Sequence, residues 1–184
     1  MRQTSRCSRL IGSLCLSALM LASTAVQALP EDKEQPINIA ADSAELDDGK
    51  RTAIYTGAVK LVQGTLELEA DKLTLYADDK GDINRIVATG KPAHFQQQHQ
   101  AGAPLTHGYG LTIEFEVLKD LLTLTEQAKL VRASDTFTGQ QIKVNTNSNV
   151  IRAFSDESKP SSRVEMVIQP RSDKKDNSKE DNAQ

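Results

Sequence analysis

The sequence predicts an all-β fold in which short, bent antiparallel strands wind into a tightly curved roll. Three observations carry that reading. Between residues 30 and 170 the dominant hydrophobic period is two. The phase of that alternation slips every few residues. A strand unit also recurs at intervals near 30 residues.

The chain opens on a different kind of segment. Arg2, Arg6 and Arg9 precede a mostly apolar stretch, residues 10–26, which Ser13, Ser17, Ser23 and Thr24 interrupt. Val26-Gln27-Ala28 closes it with small residues where a signal peptidase reads. This is the three-part layout of a secretory signal, so residues 1–28 are expected to be a cleaved signal peptide, with a retained anchor as the alternative. The stretch is shorter and more polar than the ~20 residues that span a bilayer. Leu14, standing before Cys15, does not fit a lipoprotein signal.

Cys7 and Cys15 both fall inside this leader, so the mature chain is expected to carry no disulfide in an oxidising compartment. Loss of residues 1–28 removes three positive charges and takes the formal net charge from −3 to −6. That balance argues against nucleic acid as a partner, which rewards clustered Lys and Arg.

The strands follow from alternation. Leu111, Ile113, Phe115 and Val117 are separated by polar or small residues. So are Leu66, Leu68 and Ala70; Leu73 and Leu75; Leu122 and Leu124; Ile142 and Val144; and Val164, Met166 and Ile168. Each run presents one face to a dry interior and the other to water. Val59 and Leu61 share one parity, Leu66 to Ala70 the other, and Leu73 and Leu75 revert. Each slip needs a turn, bulge or kink to keep the apolar side chains inside.

Two elements recur. The first is a small residue followed shortly by an apolar pair two apart. It occurs at Ala41-Asp42, Ala70-Asp71, Gly108-Tyr109 and Gly139-Gln140, in steps of 29, 38 and 31 residues. The second interleaves with it at Tyr55-Thr56-Gly57-Ala58-Val59, Ala88-Thr89-Gly90-Lys91-Pro92-Ala93 and Leu124-Thr125-Glu126-Gln127-Ala128. Such periods point to stacked units that cannot bury their apolar faces alone. After Pro170, residues 171–184 hold four positive and four negative charges and one apolar residue, Ala183. They are expected to be a disordered polar tail, leaving residues 29–170 as a single domain.

No catalytic constellation is visible. His94, His99 and His107 sit in or near a Gln-rich stretch that reads as a hairpin loop, and their spacing fits no zinc pattern. Glu67, Glu69 and Asp71 occupy the polar positions of an alternating strand, which makes them a solvated face rather than an acid–base pair. Asp47-Asp48-Gly49 and Asp78-Asp79-Lys80-Gly81 read as hairpin turns and lack the ligand count of a calcium loop. Nothing calls for a metal or a cofactor. An aliphatic interior of this kind is consistent with a closed, packed core and with an open apolar groove.

These landmarks resemble the OstA-like family of lipopolysaccharide transport. They are Gln35-Pro36-Ile37-Asn38-Ile39 with Asp42, then Thr56-Gly57-Ala58-Val59, then Gln63-Gly64-Thr65 leading to Ala70-Asp71-Lys72. Gly90-Lys91-Pro92-Ala93-His94-Phe95, Phe115-Glu116 with Lys119-Asp120, and Ala153-Phe154-Ser155-Asp156 with Lys159 complete the series. Two departures stand out. Glu126 replaces the Gly usual in the third Thr-Gly turn, and Gln140 stands where an Asp usually follows the small residue.

The resemblance implies a single β-jellyroll, open at both ends, with a continuous apolar interior. It implies no enzymatic activity. It implies a periplasmic protein that binds lipopolysaccharide by its acyl chains. Protomers would join head to tail through edge strands. An inner-membrane-anchored jellyroll protein of the export complex (LptC type) would sit on one side, and the periplasmic domain of the outer-membrane translocon (LptD type) on the other. Ile37, Ile39, Phe95, Phe115 and Val117 match its groove-lining positions, and Leu66, Leu68, Leu73, Leu75, Ile142 and Val144 face inward by alternation. Ile37 and Ile39 at one edge, and Val164, Met166 and Ile168 at the other, are the expected joints. The readings that compete with this one are a β-solenoid with a closed core and a polysaccharide-active enzyme on a repeat scaffold.

Overall fold

The computed structural model describes residues 32–98 and 102–170. The proposed signal peptide, His99 and the proposed polar tail lie outside the described residues. Ten strands form one antiparallel sheet: β1 (Asn38–Ala40), β2 (Ser43–Asp47), β3 (Thr52–Gln63), β4 (Leu66–Ala77), β5 (Ile83–Gln97), β6 (Thr106–Glu116), β7 (Leu121–Arg132), β8 (Asp135–Asn145), β9 (Val150–Phe154) and β10 (Glu165–Val167). Successive hairpins build it in the order β3-β4-β5-β6-β7-β8. Among the described residues the only helical turns are short 3-10 segments, Asp32–Glu34 and Val117–Lys119.

Strands β3 to β8 are 11 to 15 residues long. The five-residue alternating runs of the sequence are halves of these strands. The slip between Leu61 and Leu66 is the turn from β3 to β4, whereas the slip between Ala70 and Leu73 is a bulge inside β4. Register shifts fall between Thr56 and Val59, Glu69 and Lys72, Thr89 and Ala93, Tyr109 and Thr112, and Thr125 and Ala128. These positions face one another across the sheet, so every long strand bends at the same height.

The two recurring sequence elements are the two kinds of bend. Thr-Gly-type bends lie on β3, β5 and β7, and small-residue bends on β4, β6 and β8. In β6 the bend falls at Gly110, two residues beyond the Gly108 that the repeat singled out. In β3 the bend uses Gly57 (φ 84) and Ala58 (φ 42), and in β7 it uses Glu126 (φ 60) and Gln127 (φ 54). The third Thr-Gly turn therefore keeps its left-handed geometry without glycine.

Bending divides the sheet into two layers. Strand β1 pairs with the C-terminal half of β3 and β2 with the N-terminal half, so the chain changes layer at Ala41-Asp42. At the far edge, β10 pairs with the N-terminal half of β8 and β9 with the C-terminal half. Leu122 and Leu130, near opposite ends of β7, border one cavity with Phe95 and Ile151, so the layers face each other. They enclose one core cluster that includes Val59, Leu61, Leu73, Leu124, Leu130 and Ile142.

Polar side chains fix the turns at the strand ends. Asp47 Oδ1 accepts from Lys50 N at 2.9 Å, and Asp78 Oδ1 accepts from Lys80 N and Asp82 N at 2.8 and 3.0 Å. These are Asx-type turns, so both acidic segments are hairpin turns. Asp32 clasps the opposite strand ends. Its carboxylate accepts from Thr65 N and Thr65 Oγ1, each at 2.7 Å, and from Gln97 Nε2 at 2.8 Å.

Candidate functional site

The candidate site is the interior, and the strand register builds it. In one layer the cross-strand pairs run Ile39, Leu61, Leu68, Phe95, Gly108, Leu130, Phe137, Met166. In the other layer a row runs Leu46, Ala53, Leu75, Ile86, Phe115, Leu122, Val144, Ile151. A second row in that layer contains Tyr55, Leu73, Ala88, Ile113, Leu124, Ile142 and Ala153. Each row crosses the sheet from edge to edge without a charged residue. Near the bend, Val59, Ala70, Ala93, Gly110, Ala128 and Gly139 are small or short, which lets the layers converge there.

Most of the expected groove residues take inward positions in these rows. Leu73 and Ile142 are fully buried, and Leu68, Leu75 and Phe95 are buried. Ile39, Leu66, Phe115 and Val144 are half-buried against the cluster. Val117 lies just beyond β6 and is half-buried. Its strand stops at Glu116, and Val117 opens a 3-10 turn that ends on Asp120 in the left-handed region (φ 49), so alternation no longer sets its direction. Ile37 lies one residue before β1 and is exposed. At the far edge Met166 continues an inward row and is 53 % exposed, while Val164 and Ile168 flank β10 and are exposed as well.

The interior is closely packed around its core cluster. Where the layers meet near Phe95 and Val144, the cavity is about 20 Å³, room for about one water. Near the N-terminal edge a larger cleft of about 470 Å³ opens beside Leu46, Ala53, Leu75 and Ile83, rimmed by Asp47, Arg51 and Asp79. An alkyl chain in the interior therefore requires the walls to part.

The outer face carries the charge. Lys60 Nζ lies 3.0 Å from Glu67 and 3.9 Å from Glu69, so the acidic row is a solvated, paired surface. Arg85 stacks over the Tyr76 ring at 3.9 Å and reaches Glu114 at 3.4 Å. His94 and His107 are on strands β5 and β6, not in a loop as the Gln-rich sequence implied. The register across β5–β6 brings His94 Nε2 to 3.2 Å from His107 Nδ1, and the His94 ring stacks on Tyr109. Partial burial, then the neighbouring His107, hold the His94 pKa below its ordinary value, against the pull of Glu69 and Glu67. Among the described residues no group of three or more His, Cys, Asp or Glu could hold a metal ion, and no helix is long and apolar enough to cross a membrane.

Sequence reasoning passed over Gln97, Thr106 and Arg132. They share the inward parity of Phe95, Gly108 and Leu130, and that parity was the available signal.

Comparison with known proteins agrees with this architecture. Residues 38–150 match the family model described as "LptA/(LptD N-terminal domain) LPS transport protein". The chain is 39% identical over 155 residues to the lipopolysaccharide export system protein LptH of Pseudomonas aeruginosa, covering 82% of this chain and 89% of that one. It is 32% identical to the lipopolysaccharide export system protein LptA of Escherichia coli K12, covering 84% and 82%. The crystal structure of LptH, titled the LptA-homologous periplasmic component of the conserved lipopolysaccharide transport device of P. aeruginosa, superposes with a TM-score of 0.70. The sequences are 36% identical, covering 77% of this chain and all of that one. The chain therefore belongs to the LptA/LptD N-terminal domain family of lipopolysaccharide transport proteins, and its fold is the open β-jellyroll expected of it.

Proposed function

We propose that this protein binds lipopolysaccharide by its acyl chains and serves as one segment of a bridge across the periplasm. It passes the lipid from the inner membrane toward the outer-membrane translocon during outer-membrane assembly, without enzymatic chemistry. The observation that carries the reading is the apolar row from Ile39 to Met166, which reaches both sheet edges. Burial of alkyl chains is worth about 0.8 kcal/mol per CH₂. A multi-chain lipid therefore needs a long dry surface and little polar specificity. Parting the packed walls exchanges apolar contacts for apolar contacts with the lipid, which keeps the cost of opening low.

The edges support assembly. Strands β1 and β2 form one end of the sheet and β9 and β10 the other, and neither end is covered by another strand among the described residues. Open edges of this kind recruit further strands. In this reading the partners are further copies, head to tail, an inner-membrane-anchored jellyroll protein of LptC type and the periplasmic domain of an LptD-type translocon. Ile37, Ile39, Val164, Met166 and Ile168 lie at the joints.

Photo-reactive residues placed at Phe115 or Ile39 are expected to capture lipopolysaccharide, whereas one at Glu114, on the outer face, is not. Equal capture at all three positions would overturn the proposal in favour of a closed structural roll, the reading that full burial of Leu73, Leu124 and Ile142 favours.

A further inference from the structure

One inward row is polar, and it lies where the two layers meet. Gln97, Thr106 and Arg132 stand opposite one another across β5, β6 and β7, at the inward positions next to Phe95, Gly108 and Leu130. Alternation would place apolar side chains there, so each is an informative exception. Thr106 is 5 % exposed and is the one buried polar residue among the described residues. Its hydroxyl makes no hydrogen bond among them and borders the small cavity over Phe95 and Leu130. Among the described residues no fully buried side-chain nitrogen or oxygen lacks a partner, so this hydroxyl is open to the cavity rather than sealed beneath it.

Arg132 borders the same cavity from its exposed side. Lys50, Arg51, Lys60, Arg85, Lys119 and Lys159 make ion pairs, whereas Lys72, Lys91, Lys143 and Arg152 are among the described basic residues that make none. Arg132 makes none among the described residues, although Asp135 stands opposite it in register. The Gln97 amide is committed to Asp32. On the facing wall the Thr146 hydroxyl is committed to the Asp120 carbonyl, and Asn149 lines the rim. Arg132 and Thr106 remain as donors above an apolar floor.

We infer that this cleft holds the head–tail junction of a phosphorylated amphiphile, with a phosphate on Arg132 and Thr106 and the acyl chains passing inward over Phe95 and Leu130. The inference rests on the acyl-chain reading above and adds a polar anchor to it. A guanidinium offers phosphate two parallel donors, and the hydroxyl supplies a third from the cavity side. The cleft sits at the boundary between water and the dry interior, where an amphiphile changes polarity.

The test compares lipid A carrying both phosphates with phosphate-free lipid A, each titrated against the purified protein. The wild type is expected to hold the phosphorylated lipid about tenfold more tightly, one charge-assisted contact's worth of discrimination. Arg132→Ala is expected to bring the phosphorylated lipid down to the affinity of the phosphate-free one. Arg132→Lys keeps the charge without the planar fork and is expected to fall between, and Thr106→Val to lose a smaller part. Lys129→Ala, on the outer face, is expected to keep the full discrimination. Millimolar inorganic phosphate is expected not to compete. Competition by it would overturn the inference in favour of a free-anion site. An equal loss for both lipids in Arg132→Ala, or no loss, would overturn it as well. If wild-type protein with a photo-reactive residue at Phe115 captures neither lipid, the acyl-chain reading itself falls; capture without discrimination removes only the anchor.

Discussion

The ring of Phe95 covers Gly108 across the β5–β6 pair, so closely that a methyl group on Gly108 would sit 1.9 Å from Cε1 of Phe95. The glycine is the gap in an otherwise apolar row, and the aromatic ring fills it. Gly108→Ala is expected to destabilise the fold by about 1–3 kcal/mol, the usual range for overpacking. In Gly108→Ala combined with Phe95→Leu, urea unfolding is expected to show less than the sum of the single losses, because the two residues share one volume. Strict additivity would argue that the ring moves aside freely.

Glu126 adopts φ 60 at a bend whose counterpart on β3 uses Gly57. Non-glycine residues pay roughly 1–2 kcal/mol in this region. Glu126→Gly is therefore expected to raise stability by about 1 kcal/mol, less the greater freedom of glycine in the unfolded chain. Chemical denaturation gives the value. A loss of stability would mean that the Glu126 side chain contributes a contact that outweighs its backbone strain.

The carboxylate of Asp32 holds Thr65 and Gln97 together through three hydrogen bonds. Asp32→Ala is expected to cost about 1–3 kcal/mol, since partly buried donors lose a charged acceptor. Amide exchange is expected to quicken at Thr65. Unchanged exchange there would show that the clasp does not hold the β3–β4 turn.

His94 has its pKa held below the ordinary imidazole value by burial and by His107. Above about pH 6.5 the imidazole is neutral in both folded and unfolded chains, and its contribution to stability is complete. As the pH falls below that value the unfolded chain binds the proton first, so this contribution is lost as pH drops through the folded-state pKa. The thermal midpoint is expected to fall between pH 7 and pH 5, and more steeply in the wild type than in His94→Gln. Equal slopes would place the pH dependence elsewhere.

Much of the fold was legible because alternation is a local signal. Leu66 to Ala70 and Leu111 to Phe115 state their faces without reference to the rest of the chain. The bends at Thr56-Gly57 and Ala70-Asp71 were legible too, as repeats and as phase slips. That they interrupt continuous strands was not, since a bulge and a turn slip the phase alike. Val117 kept the alternation while the backbone left the strand, because Asp120 ends that segment in a left-handed conformation. The contact of His94 with His107 depends on the β5–β6 register, which no local pattern encodes. Thr106 and Arg132 were hidden for the opposite reason, since their polarity made the ends of their strands read as loop.

The rows that line the interior bear on how a lipid would travel. Neighbouring strands are about 4.8 Å apart, so the seven steps from Ile39 to Met166 span about 34 Å. At every step but the one at Gly108, where Phe95 covers the gap, the surface offers another aliphatic, aromatic or thioether side chain. A hydrocarbon tail advancing by one strand spacing exchanges each neighbour for a chemically similar one. For the hydrocarbon tails alone the energy profile along the roll is thus nearly flat, with shallow corrugation, and any resting place is set by the polar head. Such a track offers little friction in either direction, and net movement must come from what is supplied at its ends.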